Sequence, residues 1–218
     1  MNRLIQQKRN LAEEVRKIHK YQVAFRKLIE EYKNAGLLPV YDAGFISLDK
    51  QFLTIGINGM VEAAEYLDIA PTNNEQYKEF VRHHLKIIYD ENRTARQISG
   101  YMFNTEFVPA ENLGVKNALW DKKSGLFSPR ECYNSYFYAV EDDHINVLDK
   151  IILHGKEFIE YLDGGSALHL NLEETPNKEG FLKLLNATAL AGCNYFCFNI
   201  RITICNECNH IDKRTLFE

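Results

Sequence analysis

The sequence predicts an α/β fold in which parallel strands form the wall of a barrel. Three observations predict it. Strand-like segments alternate with helical ones, and that order implies parallel pairing through right-handed crossovers. The last two strands each have one apolar and one polar face: Phe196, Phe198, Ile200 and Ile202 oppose Tyr195, Cys197, Asn199 and Arg201, and Leu168, Leu170 and Leu172 oppose His169, Asn171 and Glu173. A parallel sheet covered by helices on both sides reads apolar on both faces; a polar inner face fits a barrel lumen. Composition, 45% hydrophobic and 26% charged over 218 residues, is that of a chain able to bury a core. An exposed antiparallel sheet is the competing reading, and the intervening helices argue against it.

The elements follow in order. A long helix is expected from Asn2 to Ala35, within a segment ending at Gly36. Apolar residues recur every seven positions at Leu4, Leu11, Ile18, Phe25 and Tyr32, with Val15 and Ile29 on the same side. Gly36 suits the left-handed residue after a helix, and Pro39 prevents continuation. Lys8 and Gln22 interrupt the second seam, which favours a helix on the outside of a larger body over a coiled coil. Phe52 to Ile57 reads as a strand, Asn58-Gly59 as a turn, and Met60 to Leu67 as a helix. Asn74 to Ile98 is helical. Tyr101 to Phe107 is a strand running into Pro109, and Val108 to Gly114 leads from it toward a helix. Cys132 to Ala139, rich in aromatics, reads as a strand. Val147 to Leu162 is helical and stops at Gly164-Gly165. Ala167 to Leu172 is a strand. A helix follows, capped by Thr175 with Pro176 at its first position, and Gly192 closes it. Asn194 to Ile202 is the last strand.

Composition also excludes. The formal net charge is −4, from 26 basic and 30 acidic residues. Such a chain is a poor general binder of nucleic acid, which requires a basic surface. No apolar run approaches the ~20 residues that span a bilayer, and the charged start lacks a signal-peptide core. The expected compartment is the cytoplasm, with no membrane partner. There the five cysteines stay reduced and are packing residues, metal ligands or redox groups.

Several residues bear on chemistry, each with two readings. Cys205-x-x-Cys208 supplies one edge of a tetrahedral zinc site or an unmetallated thiol pair; His210 offers a third ligand at an unusual spacing. Cys132, Cys193 and Cys197 read as buried structural thiols more readily than as catalytic ones. Asn58 follows a strand, where it either bonds a substrate or forms the turn. His169 lines the lumen or is a satisfied core histidine. The strand-to-helix turn at Val108 to Gly114 either presents amides to a phosphate or simply connects. Glu141, Asp142 and Asp143 hold Mg²⁺ or form a solvated loop.

Five stretches, in order, carry a resemblance: FLTIGINGMVEAAEYL (52–67), FNTEFVPAENLGVKN (103–117), RECYNSYFYAVEDD (130–143), YLDGGSALHLNLEE (161–174) and GCNYFCFNIRITICNECNHIDKR (192–214). Together they resemble the anaerobic, class III ribonucleoside-triphosphate reductases. The resemblance implies the second half of a ten-stranded α/β barrel of the ribonucleotide reductase and glycyl radical type over residues 1–204, with residues 1–36 as a long N-terminal helix, and a truncated zinc-binding segment over 205–218. It implies that Pro109, Ala110, Glu111 and Asn112 form the substrate's phosphate loop and that Asn58, His169 and Asn199 face the substrate. Cys205 and Cys208 become half of a four-cysteine zinc site, expected to bind the metal weakly or not at all.

The same resemblance implies conversion of ribonucleoside triphosphates to deoxyribonucleotides for DNA synthesis. A glycyl radical, installed by an iron–sulfur/S-adenosylmethionine activase, oxidises a finger-loop cysteine, and formate is the expected reductant. The finger-loop cysteine and the radical-glycine motif are not in this sequence, so no catalytic residue is assigned to it. The expectation is a fragment or split subunit, inactive alone, whose partners are the remaining part of the reductase, the activase and, in the complete enzyme, a second copy. The alternative is a non-catalytic interaction module pairing with a full reductase. A zinc-ribbon nucleic-acid binder is disfavoured by the charge.

Overall fold

The computed structural model describes residues 2–107, 110–140, 142, 145–172, 175–200 and 203–212. Four parallel strands, β1 (Leu53–Gly56), β2 (Phe103–Phe107), β3 (Gly165–Leu172) and β4 (Tyr195–Ile200), pair in sequence order, so β1 and β4 are the edges. Helices join them: α3 (Met60–Glu65) and α4 (Glu75–Ser99) between β1 and β2, α5 (Glu111–Lys123), α6 (Val147–Leu153) and α7 (Lys156–Ile159) between β2 and β3, and α8 (Lys178–Ala191) between β3 and β4. The long α1 (Asn2–Asn34) and the single turn α2 (Pro39–Asp42) precede the sheet. A short antiparallel ribbon, β5 (Thr203–Ile204) with β6 (Ile211–Asp212), follows it. The α/β class and the long first helix stand as expected.

The apolar face of β3 is buried as the alternation put it; on β4, Phe196 and Phe198 pack against the same core while Ile200 is exposed. Leu168 and Leu170 are fully buried, and Phe198 meets Phe181 of α8 edge-on at 5.4 Å. The core continues through Tyr77, Phe80, Val81 and Leu85 of α4.

Three expectations are corrected. Residues 132–139 are not a strand. Their backbone polar groups are satisfied one at a time, which removes the need for a ladder: the Asn134 amide donates to Glu62 Oε1 (3.1 Å) and the Phe137 amide to His154 Nε2 (3.3 Å). Phe137 is thereby inserted into the core, stacked on Phe107 at 4.0 Å. The helix expected over 147–162 breaks at His154-Gly155, where Gly155 is the extended residue before α7 and the end of α8 passes so close that a Cβ would lie 2.4 Å from Ala191 O. The cap of α8 is Asn177, whose side chain accepts from the Gly180 amide at 2.8 Å, and not Thr175.

α1 packs along α4 and the edge strand, and only part of the expected apolar side faces them: Leu11 and Val15 pack beside Ile55 and Ile88. Val15, His19 and Arg26 are buried, while Ile18, Phe25 and Tyr32 are exposed. Polar groups dock the helix. Gln22 Nε2 donates to Thr54 O of the edge strand at 2.7 Å, Arg26 donates to Leu48 O and lies over the Tyr101 ring, and Arg16 forks onto Glu91 at 2.6 and 2.8 Å. His19 bonds Asn92 Oδ1 (2.8 Å), and Asn92 Nδ2 donates to Thr105 Oγ1 (2.9 Å), so a buried chain links α1, α4 and β2. Burial lowers the His19 pKa, so its ring is held neutral and Nε2 is the donor to the amide oxygen.

Candidate functional site

In a parallel sheet the loops after the strands collect at one end, and ligands bind there. At the C-terminal ends of β3 and β4 the polar strand faces line a cavity of about 500 Å³ with Cys132, Tyr133, Asn134, Ser135, Tyr136, Val140, His169, Asn171 and Asn199. The register sets His169 beside Cys197 and Asn171 beside Asn199. A row of contacts crosses the two strands: Cys197 Sγ lies 3.1 Å from His169 Nδ1 and 3.5 Å from Asn199 Oδ1, and Asn199 Nδ2 donates to Asn171 Oδ1 at 3.2 Å. His169 and Asn199 therefore share one cavity.

The other predicted substrate residues are not in its lining. Ala110 is the N-cap of α5 and Glu111 its first residue. Asn112 is exposed in its first turn. Pro109 lies outside the described residues, as do Glu141 and Asp143 of the acidic cluster. The Ala110 amide donates to Ser135 Oγ (3.0 Å), and Asn58 Nδ2 donates to the same oxygen (2.9 Å). Ser135 thus ties the exits of β1 and β2 together, a role its sequence context did not signal. Asn58 lines a second cavity instead, between α3 and α5. Close passage of residues 132–133 over α5 depends on Gly114, where a Cβ would lie 2.5 Å from Tyr133 O.

Behind the cavity His154 is wholly buried, and burial pushes its pKa down to about 3. The ring is neutral. Nε2 accepts from the Phe137 amide, so the proton sits on Nδ1 and is donated to Ser166 Oγ at 3.0 Å. This histidine holds the loop over 132–139 to β3, a role that no local sequence pattern signals. Cys193 is half-buried, donates to Ile151 O at 3.4 Å, and has its pKa raised to about 11 by burial. It is a packing residue.

Cys205 and Cys208 lie exposed on the connection between β5 and β6. The Cys205 thiol pKa is lowered, first by amide donation from Cys208 and Glu207. Two cysteine sulfurs at this spacing fit one edge of a zinc tetrahedron. Among the described residues no group of three or more His, Cys, Asp or Glu side chains assembles to complete a metal site. No helix among them is long and apolar enough to cross a membrane.

In parallel α/β folds, a polar cavity at the carboxyl ends of the strands is the place where ligands bind. The family described as anaerobic ribonucleoside-triphosphate reductase matches residues 4–218, and the chain belongs to it. Among solved structures, the anaerobic ribonucleotide reductase from Thermotoga maritima in complex with dATP and CTP is 30% identical, with a TM-score of 0.83, over 94% of this chain and 35% of that one. The same organism's enzyme with MES in the active site is 31% identical with a TM-score of 0.84 over 94% and 35%, and with dATP bound in the specificity site 30% identical with a TM-score of 0.82 over 94% and 35%. The chain therefore spans about a third of the length of these relatives. No curated protein matches it.

Proposed function

We propose that this chain is the second half of the catalytic barrel of an anaerobic ribonucleoside-triphosphate reductase, with its four strands belonging to one five-stranded half of a ten-stranded α/β barrel and α1 outside it. The observation that carries the reading is the polar cavity where His169, Asn171 and Asn199 meet at the strand ends, in a chain of this family. In this reading the substrate is a ribonucleoside triphosphate. His169, Asn171 and Asn199 hold its ribose hydroxyls by hydrogen bonds. The turn of Pro109 and Ala110, with Glu111 and Asn112 opening α5, faces the phosphates with the positive end of the helix dipole. The Glu111 carboxylate repels phosphate and belongs beside the sugar or a metal. Asn58 orients the loop over 132–139 through Ser135.

The chemistry of hydrogen abstraction would come from a glycyl radical and a finger-loop cysteine on polypeptide outside these residues, with formate as reductant and an iron–sulfur/S-adenosylmethionine activase as partner. Residues 205–218 form the zinc segment, and Cys205 and Cys208 would hold one edge of the metal. Two sulfurs alone bind zinc weakly, and a tight stoichiometric complex of this chain with zinc would refute that assignment. The proposed setting is cytoplasmic, with the complete enzyme a homodimer.

Calorimetric titration with CTP tests the reading. Binding should require the triphosphate and fall about tenfold in Asn199→Leu, the loss of roughly one hydrogen bond to a polar ligand. Equal binding of cytidine, or no effect of Asn199→Leu on triphosphate binding, would overturn it.

The exposed row of Ile18, Tyr21, Phe25, Leu28 and Tyr32 on α1 supports a second reading, a non-catalytic module pairing with a full reductase. Co-purification with a chain carrying the finger-loop cysteine and radical glycine, followed by assay for deoxyribonucleotide formation, separates the two. Product whose yield depends on Asn199 supports the catalytic reading, and pairing without that dependence supports the module.

A further inference from the structure

Away from the strand-end cavity, a second hollow of about 410 Å³ opens between α3, α5 and residues 126–133. Its floor holds an unmet need. Glu62 is 4% exposed. Its Oε1 accepts from the Asn134 amide (3.1 Å) and Asn134 Nδ2 (2.7 Å), with Arg130 Nη1 at 3.5 Å. Its Oε2 is buried with no hydrogen-bond partner among the described residues, and so is Oδ1 of Asn58, which lines the same hollow. Both atoms are acceptors, so each lacks a donor. A buried carboxylate oxygen without a donor is costly.

The walls specify what the donor is. Glu62 and Asp121 line the hollow, and no Lys, Arg or His does. Asp121 Oδ2 accepts from Tyr133 OH at 2.7 Å. Arg130 is ion-paired with Glu62 and also forked onto Glu65, so one guanidinium is shared between two carboxylates, and no cation lies on the hollow's wall beside Asp121. The rim is aromatic: Tyr66, Trp120 and Phe127 are 63%, 55% and 45% exposed, and the Tyr66 and Phe127 rings sit 5.8 Å apart. Ring faces around a carboxylate attract a cation with an apolar or planar body. Unmet acceptors in the lining suit the several N–H donors of a guanidinium or an ammonium.

We propose that this hollow is a binding site for an organic cation, a guanidinium or primary ammonium group that donates to Glu62 Oε2 and Asn58 Oδ1 while packing against Trp120. A free polyamine and a protein side chain present the same chemistry. The inference does not depend on the reductase reading.

Trp120 is the chain's one tryptophan, so its fluorescence reports occupancy directly. The full chain is titrated with methylguanidinium, with n-butylammonium and with the neutral isostere N-methylurea. The expected result is a saturable change with the two cations, none with N-methylurea, and at least about tenfold weaker binding in Glu62→Gln. Asp121→Asn, which keeps the acceptor for Tyr133 OH, should weaken the cations too and serves if Glu62→Gln does not fold. Agmatine binding more tightly than Nα-acetyl-arginine amide identifies a free polyamine as the source, and the reverse order identifies an arginine side chain. An unsaturable response, equal binding of N-methylurea, or cation binding unchanged in both variants would overturn the proposal.

Discussion

Cys197 Sγ stands 3.1 Å from Nδ1 of His169 across the β3–β4 ladder, a contact fixed by the register that pairs these two residues. It is one end of a row that continues through Asn199 to Asn171. Each member positions the next, so the row's effect on a ligand exceeds any one contact. Cys197→Ser keeps a donor and an acceptor and should leave CTP affinity within about threefold. Cys197→Val removes both and leaves His169 Nδ1 unmet, and the expected loss is about tenfold. Calorimetry on the two variants decides it; equal effects of serine and valine would show that the row does not position the ligand.

His154 gives the fold a pH dependence of defined sign. Its pKa is about 3 in the folded chain against an ordinary 6.5, so the fold prefers the neutral ring. The contribution is fully present above pH 6.5. It is lost as pH falls from 6.5 toward 3, because the unfolded chain takes up the proton first. The limiting slope is about 1.4 kcal/mol per pH unit. His19 and His84 are also lowered by burial and add in the same direction. His154→Gln should flatten the urea-midpoint profile between pH 6.5 and 5 relative to the unsubstituted chain. It should also cost about 1–3 kcal/mol at pH 8, where a hydrogen bond to Ser166 or the Phe137 amide is lost. An unchanged slope would show that His154 is protonated in the fold.

What could be read in advance followed local pattern. The alternation of Leu168, Leu170 and Leu172 with His169 and Asn171 located both the core face and the pocket face, because strand side chains must alternate. Residues 132–139 look like a strand because they are rich in aromatics, which strands favour. What makes them a loop is distant: Glu62, His154 and Gly114 supply partners and space from three other elements. On α1 the periodicity revealed an apolar stripe but not which stripe meets the body. The docking face is set by Thr54, Leu48 and Glu91, whose polar demands select Gln22, Arg26 and Arg16. The strand-end pair of Asn171 and Asn199 was legible only once the register was known.

Tyr77 is a case where removing a polar group should help. It is fully buried, and its hydroxyl has no hydrogen-bond partner among the described residues. Burial raises its pKa, so the phenol stays neutral. Tyr77→Phe keeps the ring's packing against the α4 core and deletes an unsatisfied group, so stability should rise by about 1 kcal/mol. A urea midpoint lower than that of the unsubstituted chain would show that the hydroxyl has a partner in solution.

Gly114 links the α5 turn to the pocket wall. Its missing side chain lets Tyr133 O and Cys132 Sγ approach, and a Cβ would sit 2.5 and 3.0 Å from them. The first of these is backbone, which cannot swing aside, and the Tyr133 amide also donates to Gly114 O at 3.2 Å. Gly114→Ala gains helix propensity worth up to about 1 kcal/mol. The overlap should cost more, about 1–3 kcal/mol, so the net is destabilising and residues 132–135 must move. That movement should weaken CTP binding, because Tyr133 to Ser135 wall the strand-end cavity. Lys116→Ala, exposed on the same helix, should change neither stability nor binding by more than about 0.5 kcal/mol. A Gly114→Ala chain as stable as the Lys116→Ala control would mean that the loop over 132–135 does not pass against α5.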